Sequence, residues 1–285
     1  CRPRIVLSRH LAKSPGSWPG RWLVLRLCHA MVACSHFVEH VLREGHADPG
    51  SPEAERHWRP PMKGDHRKIR VIYGGFDLRE FLPLERNDPA VAAIRSQWGV
   101  APHEYVFGVV GGYVLPRGKG QREFLAAAAR VREQVPHARF VVLGRGNMEE
   151  TLRSDIERLG LAGVASLPGY TQSMSAAMNA LDCLVHPQIG TEAMAGVVIE
   201  AHACGVPVIA SDLGGIPEAF AMGGLGQLVP PEDVPALVTA MVSTASQPSP
   251  TAAQRQDIHQ RVARRMALDR YAGEMLELYR DVLAG

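Results

Sequence analysis

A doubly wound α/β architecture, with parallel strands and helices on both faces of the sheet, is what this sequence predicts, and three observations carry it. Short β-branched apolar runs recur at residues 69–73, 105–110, 140–143, 164–167, 182–187 and 208–210, and glycines close most of them. Helical stretches separate these runs, so the order is strand, loop, helix, which is the order of a parallel sheet. Apolar residues make up 46% of the 285, enough for a large core in one or two domains.

Charge excludes one broad class. The 31 basic residues nearly balance 29 acidic ones, where a dedicated nucleic-acid binder would carry a concentrated basic excess. The five cysteines, Cys1, Cys28, Cys34, Cys183 and Cys204, form no Cys-x-x-Cys pair and are odd in number, which fits reduced thiols in a cytoplasmic protein. No apolar run approaches the ~18 residues of a spanning helix, and no stretch has the form of a signal peptide. Residues 22–33 come nearest, but Arg26 and His29 interrupt them, so they read as a buried or interfacial helix.

In chain order, residues 4–7 form a strand that delivers Ser8-Arg9-His10. Residue 1 is Cys and this strand has no earlier partner, so the chain is expected to begin inside a domain. Residues 14–20 are a Pro- and Gly-rich loop. Around it Arg4, Arg9, Lys13, Arg21 and Arg26 interleave with Trp18 and Trp22, which leaves two readings open: a solvated face, or peripheral contact with anionic headgroups at the inner face of a membrane. Residues 31–35 read as a short strand, Ser35 as the N-cap of a helix over 36–44, and residues 45–68 as an exposed loop. The strand at 69–73 ends in Gly74-Gly75-Phe76-Asp77.

The strand at 105–110 feeds Gly111 and Gly112, and the loop 113–120 holds Arg117-Gly118-Lys119-Gly120 before an alanine-rich helix over 122–134. Glycines let backbone approach a phosphate closely, a helix start presents free N–H donors, and lysine adds a compact positive charge. The strand at 140–143 closes with Gly144-Arg145-Gly146, followed by a helix over 148–159, a turn at 161–163 and a strand at 164–167 that ends at Gly169-Tyr170. A helix over 174–181 and a strand over 182–187 lead to the most informative stretch, where Glu192 and Glu200 bracket a short apolar run. On one continuous helix they would stand about 80° apart; with Glu192 in the loop and Glu200 in the helix, two acids reach different parts of one elongated polar ligand. Gly205-Val206-Pro207, a strand at 208–210, Gly214-Gly215 and a helix opened by Pro217 follow. Residues 233–241 form a helix, 243–250 a Ser/Pro linker, and 252–283 a final helix with a bend near Ala267.

The run Glu192, Glu200, Ala201, Ala203, Gly205, Pro207 to Ser211, Gly214, Gly215, Pro217 and Glu218 resembles the signature of retaining glycosyltransferases with the GT-B fold, in particular glycosyltransferase family 4. Gly226-Gln227-Leu228-Val229-Pro230-Pro231 and the strand at 182–187 resemble further parts of that pattern. The resemblance implies a GT-B type fold: a Rossmann-like C-terminal domain at 78–250 that holds the donor, the latter part of an N-terminal, acceptor-side Rossmann-like domain at 1–77, and a helix at 251–285 that returns to it. It implies sugar transfer from a nucleotide-diphosphate sugar to a hydroxyl of a glycan, lipid or small molecule, with retention of configuration and with no metal or other cofactor. His10, Lys119 and Glu192 would border the reaction, His10 being otherwise a structural hydrogen-bonding residue. Gly111, Gly112, Arg117, Lys119, Gly144, Tyr170, Glu192, Val197 and Glu200 would contact the donor, with Glu192 on sugar hydroxyls and Glu200 on the ribose. The sequence departs from the family at Gly112, where an Arg is usual, and at Ala195, where Gly is usual. Arg117 is the candidate to replace the missing guanidinium. A nucleotide-sugar binding module without turnover is the alternative reading.

Overall fold

A computed structural model describes residues 3–11, 18–46, 60–114 and 118–285. Two parallel sheets organise them. The smaller, ordered β1-β2-β3, is built from β1 (Val6–Arg9), β2 (Ala30–Ala33) and β3 (Ile69–Val71). The larger has the order β6-β5-β4-β7-β8-β9, from β4 (Tyr105–Val110), β5 (Ala138–Leu143), β6 (Ala165–Gly169), β7 (Cys183–His186), β8 (Val208–Ser211) and β9 (Gly226–Val229). Counting from β4, that is the 3-2-1-4-5-6 order of dinucleotide-binding sheets, whose strand order reverses between β4 and β7.

Why these runs become strands follows from burial on both faces. In β4, Val106 and Val110 join one core while Phe107 and Val109 join the other, so an unbroken apolar run still obeys the two-residue alternation of a strand. One face is covered by α4 (Gln121–Gln134), α5 (Glu149–Arg158) and α9 (Val234–Ala245), through Phe124, Leu152 and Met241. The other is covered by α3 (Pro89–Gln97), α6 (Met174–Ala180), α7 (Gly196–Ala203), α8 (Ile216–Gly223) and α10 (Ala252–Met266), through Val91, Met178, Ile199, Ala219 and Val262. The small sheet is sandwiched between α1 (Trp18–Leu27) with α2 (His36–Glu44) on one side and α11 (Leu268–Ala284) on the other, where Met275 and Leu278 pack on Ala30, Val32 and Ile72.

The structure corrects several element boundaries. Residues 22–33 are not one helix: α1 ends at Leu27 and β2 begins at Ala30. Periodicity cannot separate a buried helix from a buried strand in one apolar run, and the break is fixed from outside, by the Lys68 ammonium donating to the Leu25 and Cys28 carbonyls at 2.9 and 2.8 Å. Residues 18–20, read as loop, open α1, with Pro19 where a helix start tolerates it; residues 14–17 and Lys13 lie outside the described residues. In the expected loop 45–68, residues His66–Lys68 make one 3-10 turn, and residues 47–59 lie outside the described residues. Helix α3 was not expected, although Asp88 caps it by accepting from Ala90 N at 2.9 Å and Pro89 sits at its start. Its buried Arg95 donates to the carbonyls of Ala180 and Glu104 and to Asp182, which in turn accepts from Val106 N. The final helix does break at Ala267, where ψ is 144°. There Phe76 N donates to Met266 O at 2.8 Å and Phe76 pairs with Ala267, while a Cβ on Gly75 would press on Leu268 and Tyr271.

The two sheets are clasped at their carboxyl ends. Glu218, in the first turn of α8, accepts from His36 N (2.8 Å), Phe37 N (2.6 Å) and the Tyr73 hydroxyl (3.0 Å), so one carboxylate caps the opening turn of α2. Ser35 accepts from Val38 N as the expected N-cap and also donates to Ala193 O at 2.7 Å. Burial, and then the Glu218 charge, push the Tyr73 phenol up to about 12.

Glu218→Ala leaves two helix-start N–H groups without this acceptor and is expected to cost roughly 2–4 kcal/mol, read as a lowered melting temperature. Because the Tyr73 pKa is raised in the folded state, its contribution is complete below the ordinary phenol range near pH 10 and is lost as pH climbs toward 12. Tyr73→Phe should therefore flatten the alkaline limb of a melting-temperature profile; an unchanged limb would count against this assignment.

Candidate donor site at the carboxyl ends of β4 and β7

Three loops converge where the large sheet reverses its order. The first leaves β4 at Gly111 and Gly112 and re-enters at Gly118-Lys119-Gly120 before α4; residues 115–117, and with them the expected Arg117, lie outside the described residues. Gly120 has φ 81° and a Cβ on it would run into the Pro187 carbonyl, so only glycine lets the start of α4 lie against the end of β7. Gly144, φ 148°, meets the Gly111 carbonyl in the same way, and Tyr113 is buried beneath with its hydroxyl donating to Gly144 O at 3.0 Å.

The second loop carries Glu192 between β7 and α7, and the third carries Gly214 and Gly215. Gly215 N donates to Glu192 O at 2.8 Å, and a Cβ on Gly215 would strike the Ala193 carbonyl. The two acids thus occupy different settings, Glu192 in a loop and Glu200 within α7. Lys119 Nζ meets Glu192 Oε2 at 2.6 Å, with about a third of the lysine side chain and 18% of the glutamate exposed. Gln121, fully buried, accepts from Lys119 N at 2.6 Å and fixes the lysine's backbone. Glu200 is half-buried, and desolvation raises its pKa above the ordinary 4.5. Val197 lies in the first turn of α7, partly buried, where a helix start directs its N–H donors outward.

The remaining expected residues are more dispersed. Tyr170 is 62% exposed, with the Arg145 guanidinium 5.1 Å from its ring centroid. The Arg145 carbonyl accepts from Tyr113 N and faces Gly112, so main chain, not the guanidinium, is what lies against Gly112. His10 is exposed just beyond β1, on the same edge as Ser35 but with no hydrogen bond or ion pair to Lys119 or Glu192 among the described residues. Ala195 needs no glycine freedom, since its φ is −84°; Gly196 instead makes room for the Phe76 ring. Sequence reasoning missed His186, the last residue of β7. It is 2% exposed, its Nε2 lies 3.9 Å from Glu192 Oε2, and neither ring nitrogen meets a hydrogen-bond partner among the described residues. Burial, reinforced by the Lys119 charge, pushes its pKa down to about 3, so the ring is neutral.

A cavity of about 530 Å³ lies elsewhere, at the amino ends of the small-sheet strands, with Arg4, His29, Lys68, Arg70 and Val282 in its wall. None of the expected site residues lines it, and it is the end opposite to where parallel α/β sheets place ligands. Among the described residues, no three or more His, Cys, Asp or Glu side chains are arranged to hold a metal, and no helix is long and apolar enough to cross a membrane. Cys28, Cys34, Cys183 and Cys204 are unpaired and buried.

Two outcomes follow from this geometry. Gly120→Ala combines a disfavoured left-handed φ with a backbone collision and should cost roughly 2–4 kcal/mol in thermal or denaturant unfolding. Glu200, with its pKa raised on folding, opposes the fold once pH rises through that pKa, so Glu200→Gln should raise the melting temperature at neutral pH. That gain should vanish below about pH 3.5, where the carboxyl is protonated folded or unfolded; a gain independent of pH would contradict the burial argument.

Known proteins place this geometry in a family. A D-inositol 3-phosphate glycosyltransferase of Segniliparus rotundus is 36% identical over 170 residues, 58% of this chain and 36% of that protein. A GDP-mannose-dependent alpha-(1-6)-phosphatidylinositol monomannoside mannosyltransferase of Mycolicibacterium smegmatis is 30% identical over 226 residues, 76% of this chain and 54% of that protein. The chain thus spans about a third to a half of the length of these curated relatives. Among solved structures, a glycosyltransferase from Rickettsia africae superposes with a TM-score of 0.79 at 18% identity, covering 98% of this chain and 70% of that one. Anabaena HepE in complex with UDP and glucose gives 0.74 at 22% identity, with 97% and 71% covered. These likenesses establish the GT-B type of fold. The family model described as "Glycosyl transferases group 1" matches residues 104–247, about half of the chain, which spans all three converging loops, and the chain belongs to that family.

Proposed function

We propose that this chain forms the donor-binding part of a retaining glycosyltransferase that moves a sugar from a nucleotide-diphosphate sugar to an acceptor hydroxyl. The observation that carries the reading is the Lys119–Glu192 pair, a cation and an anion held 2.6 Å apart at the point where the sheet reverses and ligands of such sheets bind. As the sugar departs, charge gathers on the diphosphate; Lys119 and the N–H groups that open α4 and α7 stabilise it. Glu192, released from Lys119 by the incoming phosphates, accepts from sugar hydroxyls, and Glu200, ionised, accepts from the ribose. Arg145, whose guanidinium lies over the Tyr170 ring, flanks the nucleotide together with it. His10 borders the sugar from the small sheet, and the departing phosphate takes the acceptor proton. In this reading residues 1–77 face the acceptor, 78–250 hold the donor and 251–285 tie the two together.

The relatives named above act on an inositol phosphate or a phosphatidylinositol mannoside, so a polyol headgroup is the acceptor class favoured for this chain too. Binding without turnover is the second reading, and Gly112 favours it because one cation of the expected clamp is missing from that position.

A thermal-shift panel of UDP-, GDP-, ADP- and TDP-sugars tests the proposal, since a ligand present at 100 times its Kd stabilises the folded state by about 2.7 kcal/mol. One nucleotide series should raise the melting temperature, and Lys119→Ala should weaken that ligand roughly ten- to a hundredfold. No response to any of the four would refute the donor site; donor binding without hydrolysis or transfer would favour the second reading.

A further inference from the structure

Resting on the donor-site reading, we infer that His186 is a positioning residue that takes over the Glu192 carboxylate when a donor diphosphate claims Lys119. Glu192 Oε2 lies between two groups, the Lys119 ammonium at 2.6 Å and the His186 Nε2 at 3.9 Å. The first is a full ion pair; the second is about 1 Å beyond hydrogen-bond reach. The imidazole sits at the end of β7, walled in by the sheet, and both of its nitrogens lack a partner among the described residues. A buried polar ring without partners costs free energy, and here one nitrogen faces the carboxylate that the lysine currently holds.

The exchange follows from charge. A diphosphate carries more negative charge than one carboxylate and draws the lysine away, leaving Glu192 an ionised, partly buried oxygen without a donor. A neutral imidazole protonated at Nε2 supplies that donor after a carboxylate shift of about 1 Å, and its Nδ1 then needs no proton. Held from behind in this way, Glu192 keeps its outer oxygen for sugar hydroxyls. With a bare diphosphate, water reaches the partly exposed Glu192 and supplies a donor in the lysine's place; a sugar seated over the carboxylate expels that water, so His186 bears mainly on the sugar conjugate.

The test compares UDP and GDP with UDP-glucose and GDP-mannose by titration calorimetry on wild type, His186→Leu, His186→Asn and His186→Gln, with thermal melts to confirm folding. His186→Leu removes the donor, and His186→Asn is too short to place one at the Nε2 position. Both should bind the bare diphosphate within about twofold of wild type but lose roughly tenfold or more for the sugar conjugate. His186→Gln, whose amide nitrogen reaches about as far as Nε2, should recover most of that loss. Equal weakening of both ligands, no weakening of either, or no recovery in His186→Gln would overturn the assignment. If wild type binds neither diphosphates nor conjugates, the donor-site reading itself falls; if wild type binds both and the variants do not discriminate, only the role of His186 falls.

Discussion

The constraint on which the site depends is the near-contact of backbones at the carboxyl ends of the large sheet. The Gly111 carbonyl abuts Gly144, the Pro187 carbonyl abuts Gly120, and the Ala193 carbonyl abuts Gly215. Each contact draws one loop to within a peptide's thickness of the next, and a methyl group at any of them would push two loops apart. Lys119 and Glu192 meet only because the segments carrying them are fastened this way, one beside Gly120 and the other against Gly214 and Gly215. The glycines are therefore the means by which charged side chains from distant parts of the chain share one small volume.

Inside that volume electrostatics is arranged in layers. At the mouth, an ion pair with a third of its lysine exposed is exchangeable, because water and a stronger anion can compete for it. Behind it lies His186, where desolvation favours the neutral ring and the imidazole pKa falls; within α7, burial acts on Glu200 in the opposite direction and its carboxyl pKa rises.

The strands and glycine loops were readable in the sequence because a parallel strand buried on both faces writes a continuous apolar run, and a tight backbone approach admits one residue type. Whether Glu192 and Glu200 share one helix stayed open in the sequence, and the structure decides it by starting α7 at Gly196, after Glu192. What failed was whatever depends on a partner far along the chain. The end of α1 is set by Lys68, some forty residues on, and α3 is held by Arg95 reaching Asp182, so local pattern alone could not fix either. His186 looked like one more strand residue until its neighbour across the loop was known, and Glu218 read as part of a motif rather than as the cap of a helix belonging to the other sheet.

The bridge between Phe76 and Ala267 has a mechanical meaning. The chain passes from the small sheet to the large one at residues 74–78 and returns at Ala267, and both passages are fastened to each other by Phe76 N and Met266 O. Two crossings pinned at one place form a common spine, as in a book. Relative rotation of the two leaves leaves the spine still, and the Glu218 clasp, which joins α8 to the start of α2 and to Tyr73, is a fastening that any such opening must release.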